Sequence, residues 1–354
     1  MSDFINDRAK HLTELTRAEL RTLPPLCSDF ILSISTTTQP LTRYAYVLDL
    51  KLFFDYLIRE HLKFAELTPD QFTESDFEKI TARDIRLYMD YLSLYYKDDN
   101  ERTNENLGKM RKLCSLRTFF KFLFANGFIP SNVTELVETP KRSEKPILHM
   151  EIDEVAKMLD YVESGEKMTD HQRKYNANTR QRDLAILTMF LGTGIRVSEL
   201  VGLDIEDVDF TLNSFLVSRK GGNQAILYFP DEVAEILRDY MAVRKEIKTV
   251  EGDENALFLS IQKRRISVRA VEDMVKKYAL QAAPLKKRLS PHKLRSTFGT
   301  QLYQETGDIY LVADVLGHKD INTTKRHYAD MSDEHRRIAA KTIKLHDDPK
   351  TDKP

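Results

Sequence analysis

Apolar residues recur at three- and four-residue spacing along most of this chain, the period of an amphipathic helix. Within the first 140 residues the pattern shows at Leu48, Leu52, Phe53, Tyr56 and Leu57 after Gln39-Pro40. It returns from Ile80 to Tyr96, with Thr81 and Asp84 near the start, and at Leu113, Leu116, Phe119, Phe120, Leu123 and Phe124, where Asn126-Gly127 ends it. No alternating strand pattern accompanies these stretches, so residues 1–137 are predicted to form an all-helical domain. The segment from Glu138 to Met150, ETPKRSEKPILHM, has two prolines, mixed charge and no period, and 138–150 reads as a linker.

Residues 151–354 then read as a second, mostly helical domain. A helix from Glu151 to Val162 leads into a polar stretch, Ser164 to Arg182, predicted as a surface loop. Leu184 to Leu191 reads as a buried helix broken by Gly192-Thr193-Gly194, with a short helix from Arg196. The only β signal in the chain follows: Phe215, Val217 and Arg219 lead into Gly221-Gly222, and Ala225, Leu227 and Phe229 lead out, a hairpin with a two-residue turn. Helices are predicted again at Asp231 to Ile247, Ser267 to Leu280, Pro291 to Glu305, Ile309 to Leu316 and Ser332 to Leu345, before a frayed HDDPKTDKP end. The expected fold class is mainly α with a small antiparallel β-sheet in the second domain, and 354 residues suit two domains.

With 41% hydrophobic and 31% charged residues, the composition is that of an ordinary globular protein. The longest apolar run, Leu184 to Leu191, is far below the ~20 residues of a spanning helix, and the charged N-terminus lacks a signal-peptide core. A cytoplasmic protein is expected. Cys27 and Cys114 lie in different apolar segments with no metal-ligand spacing and read as buried free thiols. The net charge of −1 hides segregation. Lys109, Arg111, Lys112, Arg117 and Lys121 stand together without an acid, and Ile261 to Arg295 holds eleven Lys or Arg against Glu272 and Asp273. Glu60 to Asp99 holds ten acids against five bases. Such stripes suit a polyanion-binding face, and equally suit solvated helix faces.

Candidate chemistry lies in the second domain. Ser290-Pro291 is a strong helix start, and His292 and Arg295 share the face of its first turn, at a helix end that favours phosphate. Arg196 follows the Gly192-Thr193-Gly194 turn, with Glu199 close enough to orient it. Lys220 stands at the hairpin tip, and Leu316-Gly317-His318 ends a helix shortly before Thr323-Thr324 and Tyr328. Each feature alone has a bland reading as a solvated or packing residue.

The ordered set Arg196, Lys220, His292-x-x-Arg295, Leu-Gly-His318 and Tyr328, behind a helical basic domain, resembles the tyrosine recombinase (phage integrase) family, most closely its two-domain Xer type. The likeness runs from about Glu151 to Leu345, and the preceding domain is similar to the family's core-binding, SAM-like domain. One departure stands out: Tyr328 lies ten residues after His318, where the commoner pattern puts tyrosine one position sooner, here His327.

The resemblance implies cleavage and rejoining of DNA through a 3′-phosphotyrosine and a Holliday junction. Arg196, Arg295 and His318 would stabilise the phosphate, Tyr328 attack, His292 accept its proton and Lys220 protonate the leaving 5′ oxygen, with no metal or nucleotide cofactor. Thr42, Arg43 and Tyr46 on one N-terminal helix and Arg111, Lys112, Ser115 and Arg117 on another are candidate DNA contacts. The implied partners are a double-stranded DNA site, three further protomers in a homo-tetramer or a hetero-tetramer with a second recombinase, and a septal DNA translocase. The C-terminal helix would dock on a neighbouring protomer, and no membrane is involved. Chromosome or plasmid dimer resolution, tied to cell division, competes with integration of a mobile element. From another class, type IB topoisomerase-like relaxation and non-catalytic DNA binding remain as alternatives.

Overall fold

The computed structural model describes residues 3–97, 99–141, 148–166, 168–219, 223–284, 286, 289–318, 320–321 and 324. The chain divides into two compact units, Met1–Lys145 and Pro146–Pro354. Its class is mainly α with small antiparallel sheets, as the hydrophobic periods predict.

The first unit contains α1 (Asp3–Leu20), α2 (Pro25–Ser33), α3 (Pro40–Glu60), α4 (Glu74–Glu78), α5 (Ala82–Tyr91) and α6 (Asn106–Ala125). The long helices α3 and α6 pack on each other, and α1 packs on α3. Their apolar faces meet in an aromatic core in which Phe30, Phe53, Phe54, Phe77, Tyr88, Phe119 and Phe120 are fully buried. Thr81 caps α5 reciprocally: its backbone N–H donates to Asp84 at 2.9 Å, and its hydroxyl accepts from the Asp84 N–H at 3.4 Å. The helix ends at Tyr91, before the predicted Tyr96, because the chain turns into a hairpin the sequence pattern does not reveal. Strand β1 (Tyr95–Lys97) pairs with β2 (Asn100–Arg102), and Asp99 adopts φ 58° in the turn. Strands of three residues are too short to show alternation. Cys27 is buried as expected, whereas Cys114 is exposed, on the outer face of α6.

The second unit is arranged on α8 (Asp170–Thr193), against which α7 (Ile152–Ser164), α10 (Asp231–Glu246) and α12 (Pro291–Thr306) pack. Helix α8 corrects the expected loop over Ser164 to Arg182. Thr169 and Gln172 start it with a capping box, and Asn176, Thr179 and Asp183 form an inward polar stripe at helical spacing. Asp183 accepts from Tyr278 at 2.8 Å and Thr179 at 3.0 Å, and from Arg182 through two nitrogens at 2.6 and 2.9 Å. A helix with a buried polar stripe has no apolar period, which is why the segment reads as a loop.

Between α8 and α10 lie α9 (Val197–Leu200) and a three-stranded sheet of β3 (Val208–Asp209), β4 (Ser214–Ser218) and β5 (Gln224–Tyr228), in that order. The register pairs Phe215 with Leu227 and Ser218 with Gln224, and the Arg219 N–H donates to the Asn223 carbonyl at 2.7 Å. The expected turn residues, Gly221-Gly222, lie outside the described residues. Helices α11 (Val268–Ala282) and α13 (Ile309–Leu316) complete the described elements. No described helix is long and apolar enough to cross a membrane.

Candidate active site

Gly194 closes α8 in the left-handed conformation, φ 62°, and has no room for a side chain. A Cβ there would lie 2.4 Å from the Phe298 ring and 2.9 Å from Leu316. This close approach seats the turn after α8 against α12 and α13. It also delivers Arg196, two residues on, to the N-cap of α9, where the Arg196 N–H and guanidinium donate to the two Glu199 oxygens at 3.0 and 2.7 Å. The carboxylate of Glu199 is buried and fixes the guanidinium plane.

Helix α13 ends at Gly317, φ 59°, leaving its last carbonyls without helical partners. Arginines from three other elements fill that vacancy. Arg196 donates to Leu316 O at 3.1 Å and Gly317 O at 2.9 Å. Arg295, on the first turn of α12 and only 5% exposed, donates to Leu316 O and Gly194 O. Arg219, just past the end of β4, donates to Val315 O at 3.1 Å. Cations at a helix C-terminus are favourably placed against its dipole. His318 follows directly, and its Nδ1 bonds the buried Thr324 hydroxyl at 2.8 Å.

Arg196, Arg295 and His318 are thus gathered at one helix end, with His292 exposed on the first turn of α12, which also carries Arg295. Ser290 holds the N-cap position with Pro291 behind it, as the sequence predicts, though its hydroxyl makes no capping bond. Lys220, Tyr328 and the predicted helix Ser332 to Leu345 lie outside the described residues. Sequence reasoning missed Arg219 because it looked like one inward position of a strand, and gave Thr324 no role beyond its motif. A guanidinium's partner forty or a hundred residues away leaves no local signal.

The candidate DNA contacts of the first unit come out differently. Ser115 is wholly buried, its hydroxyl donating to Asp49 at 2.7 Å, and Lys112 is 8% exposed with its ammonium 3.1 Å from Asn104 Oδ1. Both are corrected from groove contacts to interior residues. Burial pulls the Lys112 pKa down, against the opposing pull of Asp49. Arg111 is half exposed but grips both oxygens of Asp49 at 2.6 Å. Arg117 bonds Thr139 Oγ1 at 2.7 Å and Val137 O at 2.6 Å, tying down the segment after α6. Arg43 closes the preceding turn through the carbonyls of Ser35, at 2.8 Å, and Thr38. Thr42 and Tyr46 are partly buried on α3, with Tyr46 stacked on Phe30. The basic run of the second unit is also partly internal: Arg265 bonds the carbonyls of Val201 and Leu203, and Lys286 pairs with Glu154 at 2.6 Å.

The profile of the Phage integrase family matches residues 149–335. The chain belongs to the phage integrase family. This recombinase is 32% identical over 324 residues to "Tyrosine recombinase XerC" of Caldanaerobacter subterraneus subsp. tengcongensis, across 88% of this chain and 85% of that protein. It is 30% identical over 316 residues to "Tyrosine recombinase XerS" of Streptococcus pyogenes serotype M6, across 83% and 88%. In fold it is similar to the XerH site-specific recombinase bound to difH substrate, with a TM-score of 0.62 at 19% identity over 87% of this chain and 81% of that one. The Tn1549 transposon integrase in complex with circular intermediate DNA gives 0.61 at 18% identity over 90% and 99%. The recombinase is therefore a tyrosine-type site-specific enzyme of Xer kind, which cleaves and rejoins DNA.

Proposed function

We propose that this recombinase resolves chromosome or plasmid dimers at one defined DNA site, in the cytoplasm, with Tyr328 as its nucleophile. The observation that carries the site assignment is the convergence of Arg196 and Arg295 on the Leu316 carbonyl, directly beside His318. The likeness to XerC and XerS over more than four fifths of this chain supports the cellular role.

A phosphodiester carries one negative charge and gains a second as a nucleophile adds, so catalysis needs fixed donors around the non-bridging oxygens. Arg196 and Arg295 supply them, each guanidinium oriented by acceptors of the protein itself. His318, oriented through Nδ1 by Thr324, adds a further donor. The Tyr328 oxygen attacks phosphorus and its proton passes to His292. The bond from phosphorus to the 5′ oxygen breaks, and Lys220 protonates that oxygen. Rejoining reverses these steps with the 5′ hydroxyl of the partner strand. The bond energy is conserved in the phosphotyrosyl ester, so the cycle consumes no nucleotide and uses no metal.

In this reading residues 1–137 form the core-binding domain, 138–150 the linker and 151–354 the catalytic domain. Four protomers, or two and two of a second recombinase, act on two DNA sites, with the helix of Ser332 to Leu345 docking between neighbours and a septal DNA translocase as partner. Trapping the covalent adduct in cells and sequencing the attached DNA tests the role. One chromosomal site is expected; recovery of the ends of a mobile element would replace dimer resolution with integration. Tyr328→Phe should bind DNA and form no adduct, and an adduct mapped to another tyrosine would overturn the nucleophile.

A further inference from the structure

The hydroxyl of Thr324 has one place to send its proton. The residue is wholly buried, and among the described residues its Oγ1 meets a single polar partner, Nδ1 of His318 at 2.8 Å. Other buried threonines of this unit spend their protons differently. Thr297, equally buried on α12, donates to Lys293 O at 3.0 Å and accepts from the Met150 N–H at 2.9 Å; Thr193 on α8 donates to Met189 O at 2.6 Å. Among the described residues Thr324 makes no bond of this kind to a carbonyl one turn back. A hydroxyl can donate or accept, and a neutral imidazole carries one N–H and one bare nitrogen, so the distance alone allows either direction. The number of partners decides between them. Were Nδ1 the donor, the Thr324 proton would be stranded in the interior, which is costly for a buried polar group. With Nδ1 as the acceptor, both groups are satisfied.

We infer that Thr324 is a positioning residue that donates its hydroxyl hydrogen to Nδ1 and so fixes His318 as the neutral imidazole with its proton on Nε2. The inference rests on the reading of His318 as a donor to the phosphate. Nδ1 is committed to Thr324, so a hydrogen bond to a non-bridging oxygen comes from Nε2, and the tautomer that Thr324 selects is the one in which Nε2 carries the hydrogen. The same contact opposes a second proton on the ring, because imidazolium presents N–H at both nitrogens and would strand the Thr324 proton. Arg196 and Arg295 already bring two fixed charges to the Leu316 carbonyl, and an uncharged donor two residues on completes the set without added repulsion. The His318 main chain is held separately, its N–H donating to Ala313 O at 2.9 Å. Thr324 therefore governs the ring rather than the backbone.

Labelling the histidines of the full-length protein with nitrogen-15 reports the tautomer directly by NMR, and His318→Gln identifies the signal. At neutral pH the expected spectrum shows a bare, hydrogen-bonded Nδ1 and a protonated Nε2. A proton on Nδ1, alone or together with one on Nε2, overturns the inference on the wild-type protein, with no reliance on the folding of a Thr324 variant. Single-turnover cleavage of a suicide duplex then tests the consequence. Thr324→Val, close in shape and lacking the hydroxyl, should cleave about 10-fold more slowly than wild type, and Thr324→Ser should keep the wild-type rate. In a His318→Ala background Thr324→Val should cost nothing further, since its whole effect passes through that ring. An equal loss in both backgrounds, or none in either, overturns the positioning role alone. If His318→Ala itself cleaves at the wild-type rate, the phosphate-donor reading falls and the inference with it.

Discussion

Arg196 and Arg295 donate to one and the same acceptor, the main-chain carbonyl of Leu316. Two side chains from separate helices are thereby fixed relative to each other by a helix end rather than by substrate. Arg196 also keeps Glu199, whereas Arg295 is sunk between two carbonyls and almost inaccessible.

That difference predicts separable phenotypes. Arg196→Lys, which keeps a cation beside the buried Glu199 carboxylate and loses the fork, should lower the cleavage rate by about 10²–10³-fold, the cost of one preorganised donor, with little change in melting temperature. Arg295→Ala should lower the rate at least as far and also destabilise the fold by about 1–3 kcal/mol, since the Gly194 and Leu316 carbonyls lose a buried partner. Single-turnover cleavage and thermal unfolding measured on both variants decide it; equal stability losses would contradict the geometry.

Asp49 gives a second prediction. Its buried carboxylate receives Arg111, Ser115 and, at 4.0 Å, the ammonium of Lys112. Asp49→Ala leaves the Lys112 charge in the interior without its compensating carboxylate, and should cost about 2–4 kcal/mol in chemical denaturation. A variant as stable as wild type would show that the cluster is ornamental, and would reopen Lys112 as a DNA contact.

A third prediction concerns acid. The Asp76 pKa is lowered from 3.8 to about 2, chiefly by the Lys79 ammonium at 2.8 Å, with the Thr73 hydroxyl and N–H helping against the opposing effect of burial. A carboxylate with a depressed folded-state pKa contributes stability above its unfolded pKa and loses it as pH falls through the folded value. Asp76→Asn should therefore cost about 1–2 kcal/mol at neutral pH, and the gap should close between pH 4 and 2. Parallel unfolding curves across that range would refute the pairing as a source of stability.

How far the sequence spoke can be judged from particular segments. The long helices α3, α6, α10, α11 and α12 were legible, and so was the capping pair Thr81 and Asp84, because their signals are local; the 18-residue α1 was not singled out. The polar half of α8 was not, because Asn176, Thr179 and Asp183 bury polar atoms against Tyr278, and a buried stripe of that kind looks like solvent exposure. The motif residues Arg196, Arg295 and His318 could be named in order, and the short range of Glu199 made its contact with Arg196 foreseeable. Lys112 and Ser115 misled because the sequence shows a helix's polar and basic side chains but not the carboxylate on the facing helix. Arg219 stayed hidden for a related reason: its partner is a carbonyl, and every residue has one.

Three guanidiniums around the end of α13 also bear on how the protein behaves when it is idle. Like charges gathered at one helix end repel, opposed by the helix carbonyls and by the Glu199 carboxylate on Arg196. A polyanion laid across them removes the repulsion, so by linkage DNA occupancy and resistance to unfolding rise together. If this helix end is where DNA lies, the catalytic unit is least durable when it has nothing to cut.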